Sequence, residues 1–236
     1  MDEHFIFLSH FKVEAGTEAA LIRNELDQII HADPLSPVRK FITPVFLDSE
    51  DLTDLSILQN RVRASHNIVL LLTRNVLTRP WVLIEIVTAM DAGVRLLPVQ
   101  LMRGATHHTD FEFPDEEFYE SLRNGELLQD SGCALLETCE ISRDSVEKAI
   151  KLLLKRIAVP YSPHRPESIR KSELSALMKQ CRFKRAFCRT VSEDNSMYRG
   201  GEYERGGDDK PSGSEKLGRS QDTSAMRNGV RIEESF

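Results

Sequence analysis

Residues 80–90 are the part of this 236-residue chain whose composition is best suited to chemistry. Glu85 is the one charged residue in this stretch, which is otherwise apolar or neutral. The pattern predicts a helix that begins at Pro80 and is buried on most sides. Trp81, Glu85 and Thr88 share one face of that helix, because they are spaced by four and three residues. A carboxylate in an apolar setting is a candidate binding or catalytic group.

An ordinary explanation for Glu85 stays open. A salt bridge to Arg61, Arg63 or Arg74 would place the same acid in the same stretch, because structural ion pairs also occur in apolar surroundings. Exposure at a seam between elements would do so as well. The residue types alone do not separate a structural carboxylate from a catalytic one.

The elements that position Glu85 follow from an alternation of short apolar runs and amphipathic stretches. Four apolar runs and a weaker fifth predict strands at residues 5–8, 42–47, 68–72, 96–99 and 135–141. The runs lack polar alternation, which indicates burial on both faces. We expect a flavodoxin-like, three-layer α/β fold, with five parallel strands in the order 2-1-3-4-5 and helices on both faces. Pro44 suits the second strand, which lies at an edge in that order.

In such sheets, ligands bind beyond the carboxyl ends of the strands, near the point where the strand order reverses. Here that point lies between the first and third strands. The residues that follow the first three strands are Ser9-His10-Phe11-Lys12, the segment 48–54, and Thr73-Arg74-Asn75. Lys12 suits either a phosphate contact or an exposed, solvated lysine.

The chain lacks the motifs that several other functions of this fold require. The chain has no G-x-G-x-x-G after the first strand and no G-x-x-x-x-G-K-[ST], so glycine-rich nucleotide cradles are excluded. Ser9, His10 and Thr73 stand where a phosphoacceptor receiver needs acids. We expect no metal site, because the loop His107-His108 with Asp110 has no second ligand cluster and the four cysteines form no C-x-x-C pair.

Composition and charge limit the cellular location and the kinds of partner that we expect. The longest aliphatic run, residues 68–72, is far short of the roughly 20 apolar residues that a membrane span needs. The chain starts with acidic residues, so we expect no secretory signal and a cytoplasmic protein. Residues 1–163 hold 25 acids against 16 bases, residues 164–190 hold two against eight, and residues 191–236 hold ten against seven. An acidic main body argues against nucleic acid as a partner.

The pattern predicts three regions. Pro160, Pro163 and Pro166 follow the last strong helical pattern, so we expect a folded domain over 1–159. We expect residues 160–190 to be a basic extension that can form a helix, with Leu174 and Leu177 on one face. Residues 191–236 hold seven of the twelve glycines, and we expect a disordered tail.

Four stretches resemble, in order, successive boxes of a Toll/interleukin-1 receptor (TIR) domain. They are Phe7-Leu8-Ser9-His10, Pro-Val-Phe-Leu-Asp-Ser at 44–49, residues 65–73, and Arg-Pro-Trp-Val-Leu-Ile-Glu at 79–85. The resemblance covers about residues 4–157. The W-x-x-x-E element from Trp81 to Glu85 is similar to that of the TIR members that cleave NAD+.

The resemblance implies that Glu85 is catalytic and that Trp81 walls a substrate pocket. It implies that the first-box residues line the floor of this pocket or meet the phosphates: Ser9, His10, Phe11 and Lys12. The segment 48–54, with Asp48 and Leu52, corresponds to the loop that caps the substrate and mediates contacts between TIR domains. It departs from the family pattern because it lacks the Pro-Gly of receptor adaptors and an aromatic residue for stacking.

Three functions are therefore open. The first is a self-associating TIR signalling protein, of the kind used in innate immunity, that hydrolyses NAD+ or forms a cyclic product from it, with NAD+ as substrate and no cofactor. The second is a non-catalytic TIR scaffold that recruits other TIR domains. The third is a generic flavodoxin-like nucleotide binder. The leaving nicotinamide needs no general acid, so one carboxylate suffices for the first.

Overall fold

A computed structural model describes residues 3–47, 54–104 and 111–184. Its sheet has five parallel strands: β1 (His4–Ser9), β2 (Val45–Leu47), β3 (Ser65–Leu72), β4 (Arg95–Leu101) and β5 (Val159–Tyr161). Their order is β2-β1-β3-β4-β5. Phe7 of β1 lies between Phe46 of β2 and Ile68 of β3, which sets the register at the centre of the sheet. The predicted strand order and the edge position of the second strand are confirmed.

Seven helices connect and cover the described strands: α1 (Lys12–Ala32), α2 (Leu55–Ala64), α3 (Pro80–Asp91), α4 (Glu116–Asn124), α5 (Asp130–Thr138), α6 (Arg143–Leu154) and α7 (Glu167–Gln180). Helices α1 and α7 cover one face of the sheet. Helices α2, α3 and α6, with α4 and α5 beyond them, cover the other face. The result is the predicted three-layer, flavodoxin-like architecture.

Side chains of the central strands alternate between two hydrophobic cores. In β3, Ile68, Leu70 and Leu72 enter the core beneath α3, whereas Val69 and Leu71 enter the core beneath α1. Every residue of β3 is buried. This explains why the run reads as continuously apolar: successive side chains of a strand point to opposite faces, and here both faces are covered.

The predicted fifth strand at 135–141 is wrong. Helix α5 occupies this region and ends at Thr138, with Leu136 buried and Glu137 exposed. Alanine, leucine and glutamate favour helix, and here local propensity prevails over a short apolar run. The fifth strand is Val159–Tyr161, which pairs with β4 through Val99 and Val159. Its proline is tolerated because β5 is an edge strand, with no partner on its outer side among the described residues.

The fold also continues past the predicted domain end at residue 159, which is the first residue of β5. The basic extension does contain a helix, α7, and its apolar face is buried: Leu174 is 1% exposed and Leu177 is 0% exposed. Both pack into the core beneath α1. All described residues belong to one compact unit, residues 1–196. The predicted tail, 191–236, lies outside the described residues.

None of the helices in the described ranges combines the length and the hydropathy that a membrane span requires.

Candidate functional site

The candidate site is built around α3. Pro80 occupies its first turn, where a proline costs no backbone hydrogen bond, and the residue before it has extended backbone. From Val82 to Ala89 every residue is buried, because the helix packs on the sheet and also meets α2 and α6. The predicted helix start and its all-round burial are confirmed.

Glu85 lies in the middle of this buried stretch and is 3% exposed. Its Oε2 accepts a hydrogen bond from Oγ of Ser9, which is itself fully buried. Ser9 ends β1 and lies two residues after Phe7, so the two side chains share the face beneath α3. The fold thus joins two predicted site residues that are 76 positions apart in the chain.

The three arginines considered as salt-bridge partners of Glu85 contact other groups. Arg61 is hydrogen-bonded to His4, with 3.2 Å between its Nη1 and the ring Nε2. Arg63 donates to the amide oxygen of Asn60 at 3.4 Å. Arg74 lies 3.8 Å from a carboxylate oxygen of Glu112. The apolar surroundings of Glu85 are therefore not explained by an ion pair to one of these three.

Trp81 and Thr88 flank Glu85 along the same helix face. Trp81, one turn earlier, is half-buried and packs against the core beneath α3. Thr88 is 4% exposed, and its hydroxyl has no hydrogen-bond partner among the described residues. Burying a hydroxyl without a partner has a free-energy cost, and an apolar side chain at Thr88 would avoid it. Packing alone therefore does not explain why this face of α3 carries a hydroxyl.

The segment that links β1 to α1 lies at the carboxyl edge of the sheet. His10 and Phe11 are half-buried and Lys12 is exposed. The guanidinium carbon of Arg79 stands 3.9 Å from the centroid of the Phe11 ring, a cation–π contact. Since Arg79 directly precedes α3, this contact fixes the first-box loop against the start of the helix that carries Glu85.

Glu14, in the first turn of α1, ties this loop to the end of β3. Its carboxylate accepts hydrogen bonds from the backbone amide of Asn75 at 3.1 Å and from its side-chain amide at 2.6 Å. Partial burial raises the pKa of Glu14, but the nearby hydroxyl of Thr73, the hydrogen bonds from Asn75 and the charge of Arg79 outweigh it, so the pKa is lowered. Glu14 is thus a negatively charged residue among those that hold the loops of the site together.

A third loop joins from the end of β4. Arg103 forms a salt bridge to Glu18 at 2.7 Å and donates a hydrogen bond to the backbone oxygen of Glu14. Both side chains are largely buried, with 11% and 19% exposure. Glu14, Arg79 and Arg103 were not predicted as site residues. Each is a charged residue that lies just beyond a predicted strand or before a predicted helix, and this position could have indicated them.

Asp48 and Leu52 lie outside the described residues, as do His107, His108 and Asp110. Within the described part of the chain, no group of three or more His, Cys, Asp or Glu side chains is arranged to hold a metal ion. The structure brings together Ser9 and Glu85 through a hydrogen bond. Trp81 lies one turn earlier on the same helix, and His10, Phe11 and Lys12 lie on the segment that links β1 to α1.

No protein-family model and no curated protein matches this chain. Among solved structures, it is similar to one described as the activated Roq1 resistosome directly recognizing the pathogen effector XopQ (TIR domains). The two are 14% identical, and the match covers 75% of this chain and 98% of that chain with a TM-score of 0.42. The fold assignment above rests on the strand pairing itself.

Proposed function

We propose that this chain is a TIR-type signalling domain that self-associates and hydrolyses NAD+, with Glu85 as its catalytic residue. The observation that carries the proposal is the position of Glu85. It is a buried carboxylate inside an apolar helix, hydrogen-bonded to the last residue of β1. In open α/β sheets, ligands bind beyond the carboxyl ends of the strands, near the point where the strand order reverses. Ser9 lies at that point, at the end of β1.

In the proposed reaction, the bond between C1′ of the ribose and the nicotinamide nitrogen breaks. The nitrogen keeps the bonding electrons, so nicotinamide leaves as a neutral molecule. Water adds to C1′ and loses a proton, giving ADP-ribose; attack by another group of the nucleotide would give a cyclic product instead. Because the leaving group is already a cation, no general acid is needed.

Glu85 stabilises the positive charge that develops on the ribose, and it binds the ribose hydroxyls. Ser9 orients the carboxylate, and Trp81 forms the wall of the pocket. His10, Phe11 and Lys12 lie toward the phosphates. Asp48 and Leu52, which follow β2 in the sequence, are the remaining proposed substrate contacts. Since Glu85 is only 3% exposed, the groups around it must separate before the substrate reaches the carboxylate.

The test is release of nicotinamide from NAD+ by the full chain over a series of protein concentrations. Glu85→Gln keeps the size of the side chain and removes its charge, and we expect release to fall by about 10² to 10³-fold. Glu120→Gln, an exposed position on α4, is the matched control and should leave release unchanged. Equal release by wild type and Glu85→Gln would remove Glu85 from the mechanism.

The second candidate function is a non-catalytic TIR scaffold. The near-complete burial of Glu85 and its bond to Ser9 favour it, because a structural carboxylate has the same features. A scaffold releases no nicotinamide at any concentration, even where light scattering shows that the protein has assembled. An enzyme activated by association releases it at a rate that rises more than linearly with concentration.

A further inference from the structure

A cavity of about 700 Å³ opens at the amino edge of the sheet, the end opposite the candidate site. It lies between the starts of β3 and β4 and the ends of α6 and α7. Its wall combines two sets of side chains. One is basic or aromatic: His66, Arg95, Arg156, Arg182, Phe183 and Lys184. The other is small or apolar: Met90, Ala92, Gly93, Val94 and Leu152. The volume falls in the range of roughly 300–1,000 Å³ that small-molecule sites occupy.

The topology explains why the arginines meet here. In a parallel sheet each strand begins at the amino edge, and each helix that returns from the carboxyl edge ends there. Arg95 is the first residue of β4, Arg156 follows the end of α6, and Arg182 follows the end of α7. Three segments distant in sequence thus place one guanidinium each at the same cavity.

No carboxylate of the described residues neutralises these guanidiniums. Among the described residues, none of Arg95, Arg156 and Arg182 forms a salt bridge. The Nε atoms of Arg95 and Arg156 are buried and have no hydrogen-bond acceptor there either. Unpaired buried donors have a free-energy cost, and an acceptor bound in the cavity would remove it.

The like charges also act on one another. Burial lowers the pKa of Arg95, and the neighbouring charges of Arg156 and Arg182 lower it further. Arg182 is held in place because its Nη1 donates to the backbone oxygens of Lys179 at 2.5 Å and Cys181 at 2.7 Å. The cluster therefore brings together cations that repel one another, and a bound anion would stabilise them.

An aromatic wall adjoins the cations. The rings of Phe183 and His66 meet edge to face at 5.2 Å between centroids, and the backbone amide of Lys184 donates to Nδ1 of His66 at 3.1 Å. Burial lowers the pKa of both His66 and Lys184, while the carboxylate of Glu3 raises both. Glu3 is thus an acid whose charge acts on His66 and Lys184.

We propose that this amino-edge cavity binds a small molecule that carries a diphosphate or triphosphate group. The guanidinium forks of Arg95, Arg156 and Arg182 suit phosphate oxygens. The size of the cavity and the acidic main body of the chain favour a small ligand over a nucleic acid. This site is separate from Glu85 and does not depend on the proposed hydrolysis of NAD+.

The test is calorimetric titration of the full chain with sodium tripolyphosphate at near-physiological salt. We expect saturable binding with one molecule per chain. Arg95→Gln and Arg156→Gln should each weaken it by about tenfold or more, because each removes a charged hydrogen-bond donor. Arg23→Gln removes the same charge from the exposed side of α1, where Arg23 pairs with Asp27 at 3.9 Å, and should leave affinity unchanged.

The diphosphate could belong to a nucleotide or be free in solution. Comparing the affinities of ADP and inorganic pyrophosphate distinguishes these two ligands. Tighter binding of ADP indicates a nucleotide whose base contacts the aromatic wall, and equal binding indicates recognition of phosphate alone; both outcomes agree with the proposal. Should Arg95→Gln fail to fold, Arg156→Gln carries the comparison, because Arg156 lies in the short connection between α6 and β5.

Two results would overturn the proposal. One is the absence of saturable binding of tripolyphosphate to the wild-type chain. The other is binding that Arg156→Gln weakens no more than Arg23→Gln does. Arginine-dependent binding of a single-stranded oligonucleotide or of phosphoinositide vesicles, without binding of tripolyphosphate, would assign the cluster to a macromolecular partner and also contradict a small-molecule site.

Discussion

Two carboxylates of the described residues are almost fully buried, one on each face of the sheet, and they are held differently. Glu25 of α1 is 4% exposed and binds Arg170 of α7 through two contacts, at 2.6 and 2.8 Å. It also accepts a hydrogen bond from the hydroxyl of Tyr161 at 3.0 Å. Glu85 of α3 is 3% exposed and accepts from the hydroxyl of Ser9.

The proposed role of Glu85 therefore rests on where it lies and not on burial alone. Glu25 joins α1, β5 and α7 through a guanidinium and a phenol, an arrangement that holds elements together. Glu85 instead meets the end of β1, where the sheet can accept a ligand. Surroundings, rather than exposed fraction, distinguish a stabilising carboxylate from a candidate catalytic one, and the following substitutions test that distinction.

The largest effect is expected at Arg170. Arg170→Ala leaves Glu25 buried without its guanidinium, and we expect the free energy of unfolding to fall by about 3–5 kcal/mol. Urea denaturation measures this change. Lys171→Ala removes an exposed pair with Glu167 on the same helix and should cost no more than about 1 kcal/mol. Equal losses in the two variants would show that the buried pair does not stabilise the fold.

At Glu85 the effect should fall on activity. Glu85→Gln is expected to remove about 2.7–4 kcal/mol of transition-state stabilisation, measured as the rate of nicotinamide release. Arg170→Ala, assayed well below its melting temperature, should keep the wild-type rate per folded molecule. If Arg170→Ala lost release to the same degree as Glu85→Gln, the two carboxylates would not differ in role.

Ser9→Ala should have a smaller effect on stability. It removes the hydroxyl that donates to Glu85, and leaving a buried acceptor with one bond fewer costs about 1–3 kcal/mol. Thermal unfolding measures the loss. Ser121→Ala, a half-buried serine on α4, should change stability by no more than about 0.5 kcal/mol. A Ser9 variant as stable as the Ser121 variant would argue against a structural contribution from this bond.

The smallest effect concerns Glu14 and pH. Its pKa is lowered below the ordinary value of 4.5 in the folded state. The carboxylate's bonds therefore stabilise the fold above that value, and this contribution is lost as pH falls through the lowered folded pKa. Wild type should lose about 0.5–1.5 kcal/mol more stability than Glu14→Gln between roughly pH 6 and pH 3. Parallel pH profiles from chemical denaturation would contradict this.

The central strands and α3 could be predicted because their signals are local. The run at 68–72 is apolar without interruption, and Pro80 marks a helix start that needs no long-range information. β5 could not be predicted in the same way, since Val159–Tyr161 has three residues and contains a proline. Only its pairing with β4 makes it a strand.

The site residues show the same division. Ser9, Glu85 and Trp81 were predicted from strand ends, helix spacing and the TIR resemblance, and the fold joins the first two. The partnership of Glu25 with Arg170 spans 145 positions and has no local signature. The same holds for the arginines of the amino-edge cavity, which converge only because β4, α6 and α7 share an end of the sheet.

The proline of β5 has a consequence for how copies of this chain could polymerise. β2 and β5 are the outermost described strands, each has three residues, and Pro44 directly precedes β2 while Pro160 lies inside β5. Short outer strands offer little backbone for a neighbouring copy to pair with, and β5 also lacks the amide donor at Pro160. If copies of this chain self-associate as proposed, they would do so through contacts of helices and loops, and the sheet of each copy would remain separate.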